Sequence, residues 1–276
     1  MSLQASSAAR PRPLSLPRVR PVALNAGFVV LFLSAVVLVP LAMVVFRSTE
    51  DGWGGFWNQV HSPFAWSALK LTVVMSVIVA LINLVMGTAI AWLLVRDRLP
   101  GQRVLDTIID LPFALPTIVA GVTLILLFGT TSPHGIDLAY ARSGVLVALL
   151  FVTLPFVVRT VQPVLLELDR DMEEAAASLG ASQLTIFRRI VLPTIAPAMA
   201  AGTTLAFARA LSEFGSTVLI SGNLPGKTQV AAVFIYGKIQ EDSITGAAAV
   251  STVLLAVSLV VLVLLNLIQR WVARRD

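Results

Sequence analysis

Six apolar segments, each long enough to cross a lipid bilayer, constrain this chain more than any other feature. A helix that crosses roughly 30 Å of hydrocarbon needs about 20 mostly apolar residues. Only helices and closed barrels satisfy every backbone polar group in lipid. The length of the segments predicts helices, so the expected fold is an all-α membrane protein with six transmembrane helices. The segments run from Leu24 to Phe46, Leu69 to Val95, Val104 to Phe128, Val145 to Val161, Ile195 to Ile220 and Ile244 to Ile268.

Composition excludes several other classes of protein. With 57% hydrophobic and 13% charged residues, a water-soluble domain of this size cannot hide its apolar surface. The chain has no cysteine, which excludes disulfides, iron–sulfur clusters and thiol catalysis. The net charge of +5 comes from short basic clusters at the ends of the spans. We therefore expect membrane lipid, and no nucleic acid, around this protein.

The basic residues also predict the orientation. If the N-terminus is inside, the connections on that side hold 14 Lys and Arg residues, and the opposite connections hold four. The positive-inside rule then places both termini in the cytoplasm. The expected organisation is a cytoplasmic Arg-rich tail (residues 1–22), a transmembrane domain (23–270) and a cytoplasmic C-terminal tail (271–276). The alternative for the first tail is a signal or transit peptide, but its prolines and the long apolar stretch after it favour a tail.

The longest polar gap, about residues 163–193, separates the fourth and fifth spans; we call it the polar loop. Its alanine-rich stretch follows Glu174 and ends at Gly180, which lacks a Cβ and permits the left-handed geometry that ends a helix. Ser182 can cap a following helix. These residues predict a helix–turn–helix that projects from the membrane and offers a slim, charged surface to a partner. The alternative is an ordinary amphipathic loop.

Arg209 and Glu213 are charged residues in the predicted fifth span, one helical turn apart and so on one face. A charge at the bilayer centre costs about 2.5–3.5 kcal/mol on insertion scales, so this face should point to protein or water. Ser212, Ser216 and Thr217 add hydroxyls nearby. The two interpretations are a polar lining of an anion pathway and an ion pair that fixes the helices or a subunit interface.

Prolines and small residues mark two further positions. Pro112 and Pro116 in the third span interrupt helical hydrogen bonding, which predicts either a gate, as in transporters with broken helices, or a static kink. Gly87 and Ala91 in the second span have the small-xxx-small spacing that suits close helix packing.

Catalytic patterns are missing from the sequence. His61 and His134 have no second ligand at metal spacing, and no G-x-x-x-x-G-K-[ST] phosphate loop occurs. We therefore expect no metal, no cofactor and no ATPase site in this chain.

Several blocks together resemble the permeases of bacterial ABC importers. Glu174-Ala175-Ala176, the spaced Gly180 and Ile190-Val-Leu-Pro193 resemble the loop common to all such importers. Narrower likeness to the sulfate/thiosulfate permeases, and among them the T-type subunit, comes from Asp110–Thr117, Leu154–Val164, Phe207–Gly215 and Ile220–Asn223. One departure is Ser212, where that family's pattern has Gly; it puts the local helix contact in doubt.

The resemblance implies a type I permease architecture with a cytoplasmic coupling helix, in the inner membrane. The implied partners are a dimer of nucleotide-binding ATPase subunits, a second permease that is a paralogue, and an extracytoplasmic sulfate-binding protein. The residues implied to couple to the ATPase are Glu174, Ala175, Ala176, Gly180, Ala181 and Ser182. The alternatives are a permease for molybdate or tungstate, a stand-alone channel or secondary transporter, and a purely structural membrane subunit.

Overall fold

The computed structural model describes residues 21–97, 100–130, 132–133 and 135–272. The predicted N-terminal tail (1–22), except for its last two residues, lies outside them, as do His134 and residues 273–276 of the C-terminal tail. Every regular element in the described part of the chain is a helix. The chain divides into two compact units, residues 1–43 and residues 44–276.

The first unit holds α1 (Pro21–Leu33) and a π-helical turn (Ser34–Leu38). Helix α2 (Val39–Ser48) begins in this unit. The stretch Ala26–Ser48 is long and apolar enough to cross a membrane, which agrees with the first predicted span.

The second unit holds eleven α-helices within its described residues. A π-helical turn (Phe187–Val191) joins α9 to α10, so that Gln183–Leu211 forms one helix of 29 residues. Five helices of the described chain are long and apolar enough to span a membrane, and a bent pair, α5 with α6, can form a sixth. The helices are α3 (Gly52–Val60), α4 (Pro63–Arg96), α5 (Gln102–Ala114), α6 (Thr117–Phe128), α7 (Arg142–Glu167), α8 (Arg170–Ser178), α9 (Gln183–Ile186), α10 (Leu192–Leu211), α11 (Gly215–Ile220), α12 (Ala231–Gln240) and α13 (Ile244–Val272).

Helices α4, α7 and α10 form the centre of this unit, and small residues let them approach closely. A Cβ at Gly87 would lie 2.8 Å from Val157 Cβ, and a Cβ at Gly202 would lie 2.9 Å from Val157 Cα. Both glycines therefore allow α4 and α10 to contact α7 closely at Val157. Ala91 is fully buried. The predicted close packing at Gly87 and Ala91 is confirmed, and it follows the general use of small residues where transmembrane helices touch.

Buried polar side chains join α4 to α7 and to α12. Asn83 Nδ2 on α4 donates to Thr153 Oγ1 on α7 at 2.7 Å. Thr72 Oγ1, also on α4, accepts from the backbone N–H of Ala231 at 2.7 Å, at the start of α12. Interhelical hydrogen bonds in membranes contribute about 0.6 kcal/mol each on average, so these contacts set the register of the helices more than their stability.

The predicted third span is not one straight helix. Its two parts, α5 and α6, meet at an angle of 116°. Leu115 adopts an extended conformation directly before Pro116, which precedes the first turn of α6. Pro116 has no N–H to continue α5, and a residue before proline avoids helical geometry. Pro112 stays inside α5, so of the two predicted kink positions only Pro116 coincides with a break.

The predicted fifth span also ends early, at Leu211 instead of Ile220. Ser212 Oγ donates to the carbonyl of Ala208, and Glu213 Oε1 accepts from the N–H of Ser216 at 2.8 Å. Side chains that bond to nearby backbone groups compete with helical hydrogen bonds. Here they end α10 and start α11, so Glu213 lies in the break and not inside a continuous helix.

Candidate functional site

The polar loop has the local structure that its sequence predicts. Asp169 caps α8 by accepting from the N–H of Asp171. At the other end Gly180 has a φ of +85°. Its N–H donates to Ala177 O, and the N–H of Ala181 donates to Ala176 O. This pair of bonds is the Schellman motif that ends many helices. Ser182 then caps α9 by accepting from the N–H of Thr185. One difference is that α9 is no separate helix but the first turn of the helix that continues into α10.

Charged and aromatic contacts fasten the polar loop to the end of α4. Glu173 forms an ion pair with Arg96, in the last turn of α4, and their side chains are 20% and 12% exposed. The Arg96 guanidinium also lies over the Trp92 ring, 5.2 Å from its centroid. Trp92 in turn packs edge-on against Phe187, with 5.5 Å between centroids. Because two parts of the loop are held by one helix end, a force on the loop acts directly on α4.

The outer surface of the loop is open to a partner. Ala176 and Ala181 face inward and pack against the buried cluster that includes Val161 and Ile186. Leu179, at the tip, is 89% exposed, an exposed apolar side chain that no motif in the sequence marks. Glu174, Ala175, Gly180 and Ser182 are exposed around it. Of the six predicted coupling residues, four thus form the surface and two hold it in place.

The two helix breaks come together around one cavity of about 410 Å³, which we call the inter-break cavity. It is lined by the start of α6, the end of α10 and the start of α11. Close contact between α6 and α11 forms one side, because a Cβ at Gly215 would lie 2.8 Å from the backbone nitrogen of Ile118 and both residues line the cavity. Its lining residues are Pro116, Thr117, Ile118, Arg209, Ser212, Glu213, Phe214 and Gly215. Predicted residues from two distant parts of the sequence therefore share a single site.

Arg209 and Glu213 form an ion pair in this cavity, with 2.6 Å between Arg209 Nη1 and Glu213 Oε2. The Glu213 side chain is 1% exposed and that of Arg209 is 29% exposed. Glu213 Oε1 accepts from both the N–H and the hydroxyl of Ser216, each at 2.8 Å. The carboxylate is thus fixed by its bonds, while part of the guanidinium still faces the cavity.

The other predicted residues of this region have different surroundings. Ser212 lines the cavity, but Ser216 and Thr217 are fully buried. The Ser216 hydroxyl donates to Glu213, and the Thr217 hydroxyl donates to the carbonyl of Phe214 at 3.0 Å. These two hydroxyls hold the break in shape and do not line the cavity. Pro112 is also absent from its walls.

An ion cluster between α5 and α7 was missed by the sequence analysis. Arg159 donates from Nε to Asp110 Oδ1 at 2.6 Å and from Nη1 to Asp106 Oδ1 at 3.0 Å. Its Nη2 reaches the backbone carbonyl of Asp106. The available signal was the spacing of the two acids, which puts them on one face of α5. In the part of the chain that the structure describes, no group of three or more acidic or histidine side chains is arranged to hold a metal ion.

Comparisons with known proteins agree with this architecture. A family model described as "Binding-protein-dependent transport system inner membrane component" matches residues 83–275. The chain is 41% identical over 259 residues to the sulfate transport system permease protein CysT of Salmonella typhimurium, covering 91% of this chain and 94% of that protein. It is also 41% identical over 249 residues to CysT of Synechocystis, covering 88% of this chain and 87% of that protein.

Solved structures match at lower sequence identity. A chain of a bacterial alginate ABC transporter, solved in complex with an alginate pentasaccharide-bound periplasmic protein, superposes with a TM-score of 0.76 at 18% identity and covers 92% of this chain and 96% of that one. A chain of the MetNI methionine ABC transporter, in an inward-facing conformation, gives a TM-score of 0.58 at 20% identity over 74% of this chain and 94% of that one. These likenesses support the fold, which is that of ABC-importer permeases.

Proposed function

Since the chain belongs to the family of binding-protein-dependent transport system inner membrane components, we propose that it is the permease subunit of an ATP-driven sulfate importer. It is a multi-pass protein of the inner membrane, with both termini in the cytoplasm. A separate dimer of ATPase subunits hydrolyses ATP, and a second, paralogous permease completes the pathway. An extracytoplasmic binding protein delivers the anion. The relatives named as sulfate permeases support the choice of sulfate, and thiosulfate belongs to the same substrate class.

The polar loop is the observation that carries this proposal. It presents the exposed Leu179 within a rim of polar and small residues, on a short helix fixed by the ion pair of Glu173 with Arg96. Leu179 is an apolar anchor that a pocket on the ATPase can enclose, and Glu174 offers a charge to a basic residue on that partner. Desolvated apolar anchors surrounded by polar contacts contribute most of the energy of many interfaces.

Motion of the loop can reach the inter-break cavity through one helix. Gln183–Leu211 begins in the polar loop and ends two residues after Arg209. At 1.5 Å per residue, its 29 residues are about 43 Å long. ATP shifts the permease between its two states only because ATP binds the ATPase more tightly in one of these states than in the other. The helix carries the resulting movement to the cavity.

The inter-break cavity is the proposed anion pathway. Arg209 supplies positive charge to it, and Glu213 holds the Arg209 guanidinium in position. Because Glu213 neutralises much of that charge, the site binds the anion weakly. Weak binding favours transport, since a conducting site must also release its ion.

Reversing the charge of Glu174 tests the coupling. In reconstituted transporter, Glu174→Lys should lower ATP-driven uptake of labelled sulfate and co-purification of the ATPase at least about tenfold, as expected when a charged contact is lost from an interface. Insertion should be unchanged, because the Glu174 side chain is exposed. Competition by thiosulfate, molybdate and tungstate ranks the anions.

The matched control is Glu241→Lys, the same change at an exposed residue after α12, away from the polar loop. It should leave uptake and ATPase association unchanged. Normal uptake by Glu174→Lys at normal membrane abundance would contradict the docking role of the loop.

A further inference from the structure

A second polar cavity, about 350 Å³ in volume, lies at the end of α4 opposite the polar loop. We call it the Lys70 cavity. Two cationic residues line it, Lys70 on α4 and Arg142 at the start of α7, together with Trp66 and Ser67. The remaining lining residues are apolar or proline, and no carboxylate is among them.

The cationic groups of the cavity have free hydrogen-bond donors. Arg142 Nε donates to the backbone carbonyl of Lys227 at 3.0 Å. Within the described residues, both terminal nitrogens of Arg142 and the ammonium of Lys70 have neither a hydrogen-bond nor an ion-pair partner. The cavity therefore contains two positive charges that nothing in the described chain neutralises.

Lys70 and Arg142 are both exposed, so water, a dissolved anion or a lipid headgroup can reach them. Lys70 is seven residues after Pro63, the first residue of α4, which places it about 10 Å along the helix axis. It is also only the second residue of the predicted second span (Leu69 to Val95), so it lies near the membrane surface, where long basic side chains reach the headgroup region. Low-dielectric walls around charges of one sign also raise the local concentration of the opposite ion.

We propose that the Lys70 cavity is an oxyanion-binding site, in which Lys70 and Arg142 bind the oxygens of a sulfate or phosphate group. The guanidinium can bind two oxygens side by side, the ammonium acts as a point charge, and the Ser67 hydroxyl is a further donor. Its role in uptake rests on the proposed function: sulfate released by the binding protein would meet this site before the inter-break cavity. The phosphate of an outer-leaflet lipid has the same chemistry and is the other source of the ligand.

Equilibrium binding of labelled sulfate tests the site. The complete transporter is placed in phosphatidylcholine nanodiscs without binding protein, so that sulfate held by the binding protein does not obscure sulfate held by the permeases. Lys70→Gln and Arg142→Gln should each weaken sulfate binding about tenfold, the effect of losing one charged hydrogen bond. Lys70→Arg should restore most of the affinity. Lys238→Gln is the matched control, because Lys238 is paired with Glu241 and lies outside the cavity; it should leave binding unchanged.

Nanodiscs with added phosphatidylglycerol identify the source of the ligand. If dissolved sulfate occupies the cavity, phosphatidylglycerol lowers its affinity only through the negative surface potential of that lipid, so the unmodified transporter and Lys70→Gln lose affinity by the same factor. If a lipid phosphate occupies it, phosphatidylglycerol raises the thermal stability of the unmodified transporter but not of Lys70→Gln, and it competes with sulfate. Either pattern supports an oxyanion site. Unchanged sulfate binding together with an unchanged lipid effect in both cavity variants would overturn it. ATP-driven uptake is measured separately, so that a failure of the proposed sulfate transport is distinguished from a failure of this site.

Discussion

Replacing Gly215 with alanine adds a methyl group where α11 crosses α6. The new Cβ would lie 2.8 Å from the backbone nitrogen of Ile118 and also against the side chain of Thr117. The Thr117 hydroxyl can rotate away, but Thr117 Cβ, at 3.0 Å, and the backbone of Ile118 cannot. Since non-bonded heavy atoms rest at about 3.5 Å or more, the two helices must separate by about 0.7 Å. Overpacking of this kind costs about 1–3 kcal/mol.

The same displacement should reduce transport, because the crossing forms one wall of the inter-break cavity. Gly121→Ala acts on the same crossing from α6, where the new Cβ would lie 3.0 Å from Ser216 Cα. Both variants should lower the thermal stability of the purified transporter and the rate of sulfate uptake per molecule. Once either methyl has separated the helices, the second costs less, so the double variant should lose less stability than the two single losses combined.

Gly237→Ala is the matched control for these substitutions. Gly237 lies inside α12, and a Cβ there would have no neighbour within 4 Å. The change should stabilise the protein by about 0.5–1 kcal/mol, the usual preference for alanine in a helix. If Gly215→Ala is as stable and as active as Gly237→Ala, the α6–α11 contact does not determine the shape of the cavity, and the reasoning is wrong.

Two further predictions concern the ion pair and the orientation in the membrane. Arg209→Ala should lower the abundance of assembled transporter, because it leaves the buried Glu213 carboxylate without its charge partner, a loss of about 3–5 kcal/mol for a buried group. Glu213→Ala should lower the abundance less, because Arg209 is 29% exposed. The double variant should regain abundance in membrane fractions but not sulfate uptake, and recovery of both would make the pair purely structural. Topology reporters fused at Ser178 should report a cytoplasmic position, and those fused at Asn223 should report an external one. An external position for Ser178 would place the polar loop beyond the reach of an ATPase.

The helical fold was predictable from the sequence because it depends on length and apolarity. The positions of the two helix breaks, between α5 and α6 and between α10 and α11, were less predictable. The sequence contained two prolines in the third span, and the same local rule applies to both. The bend at Pro116 is accompanied by the contact between Gly215 and Thr117, which joins residues almost a hundred positions apart. A single sequence does not reveal which distant glycine packs against which helix.

The charged residues also show that contacts between distant parts of the chain are not predictable from a single sequence. The pairing of Arg209 with Glu213 was predictable because only four positions separate them, whereas the contact of Arg159 with α5 joins residues about 50 positions apart. The end of α10 at Leu211 was also missed, since no glycine or proline occupies residues 212–214. That break arises from the hydrogen bonds of Ser212 and Glu213 to nearby backbone groups.

The early end of α10 has a mechanical consequence for the proposed transport cycle. If the helix continued through Ile220, a displacement of the polar loop would move Arg209 and the following residues together. Instead the chain breaks after Leu211, and α11 is held against α6 by the backbone contacts at Gly121 and Gly215. A movement of Gln183–Leu211 therefore shifts Arg209 relative to α6 and α11, which form the opposite wall of the inter-break cavity. The break thus converts motion of the polar loop into a change in the shape of the cavity.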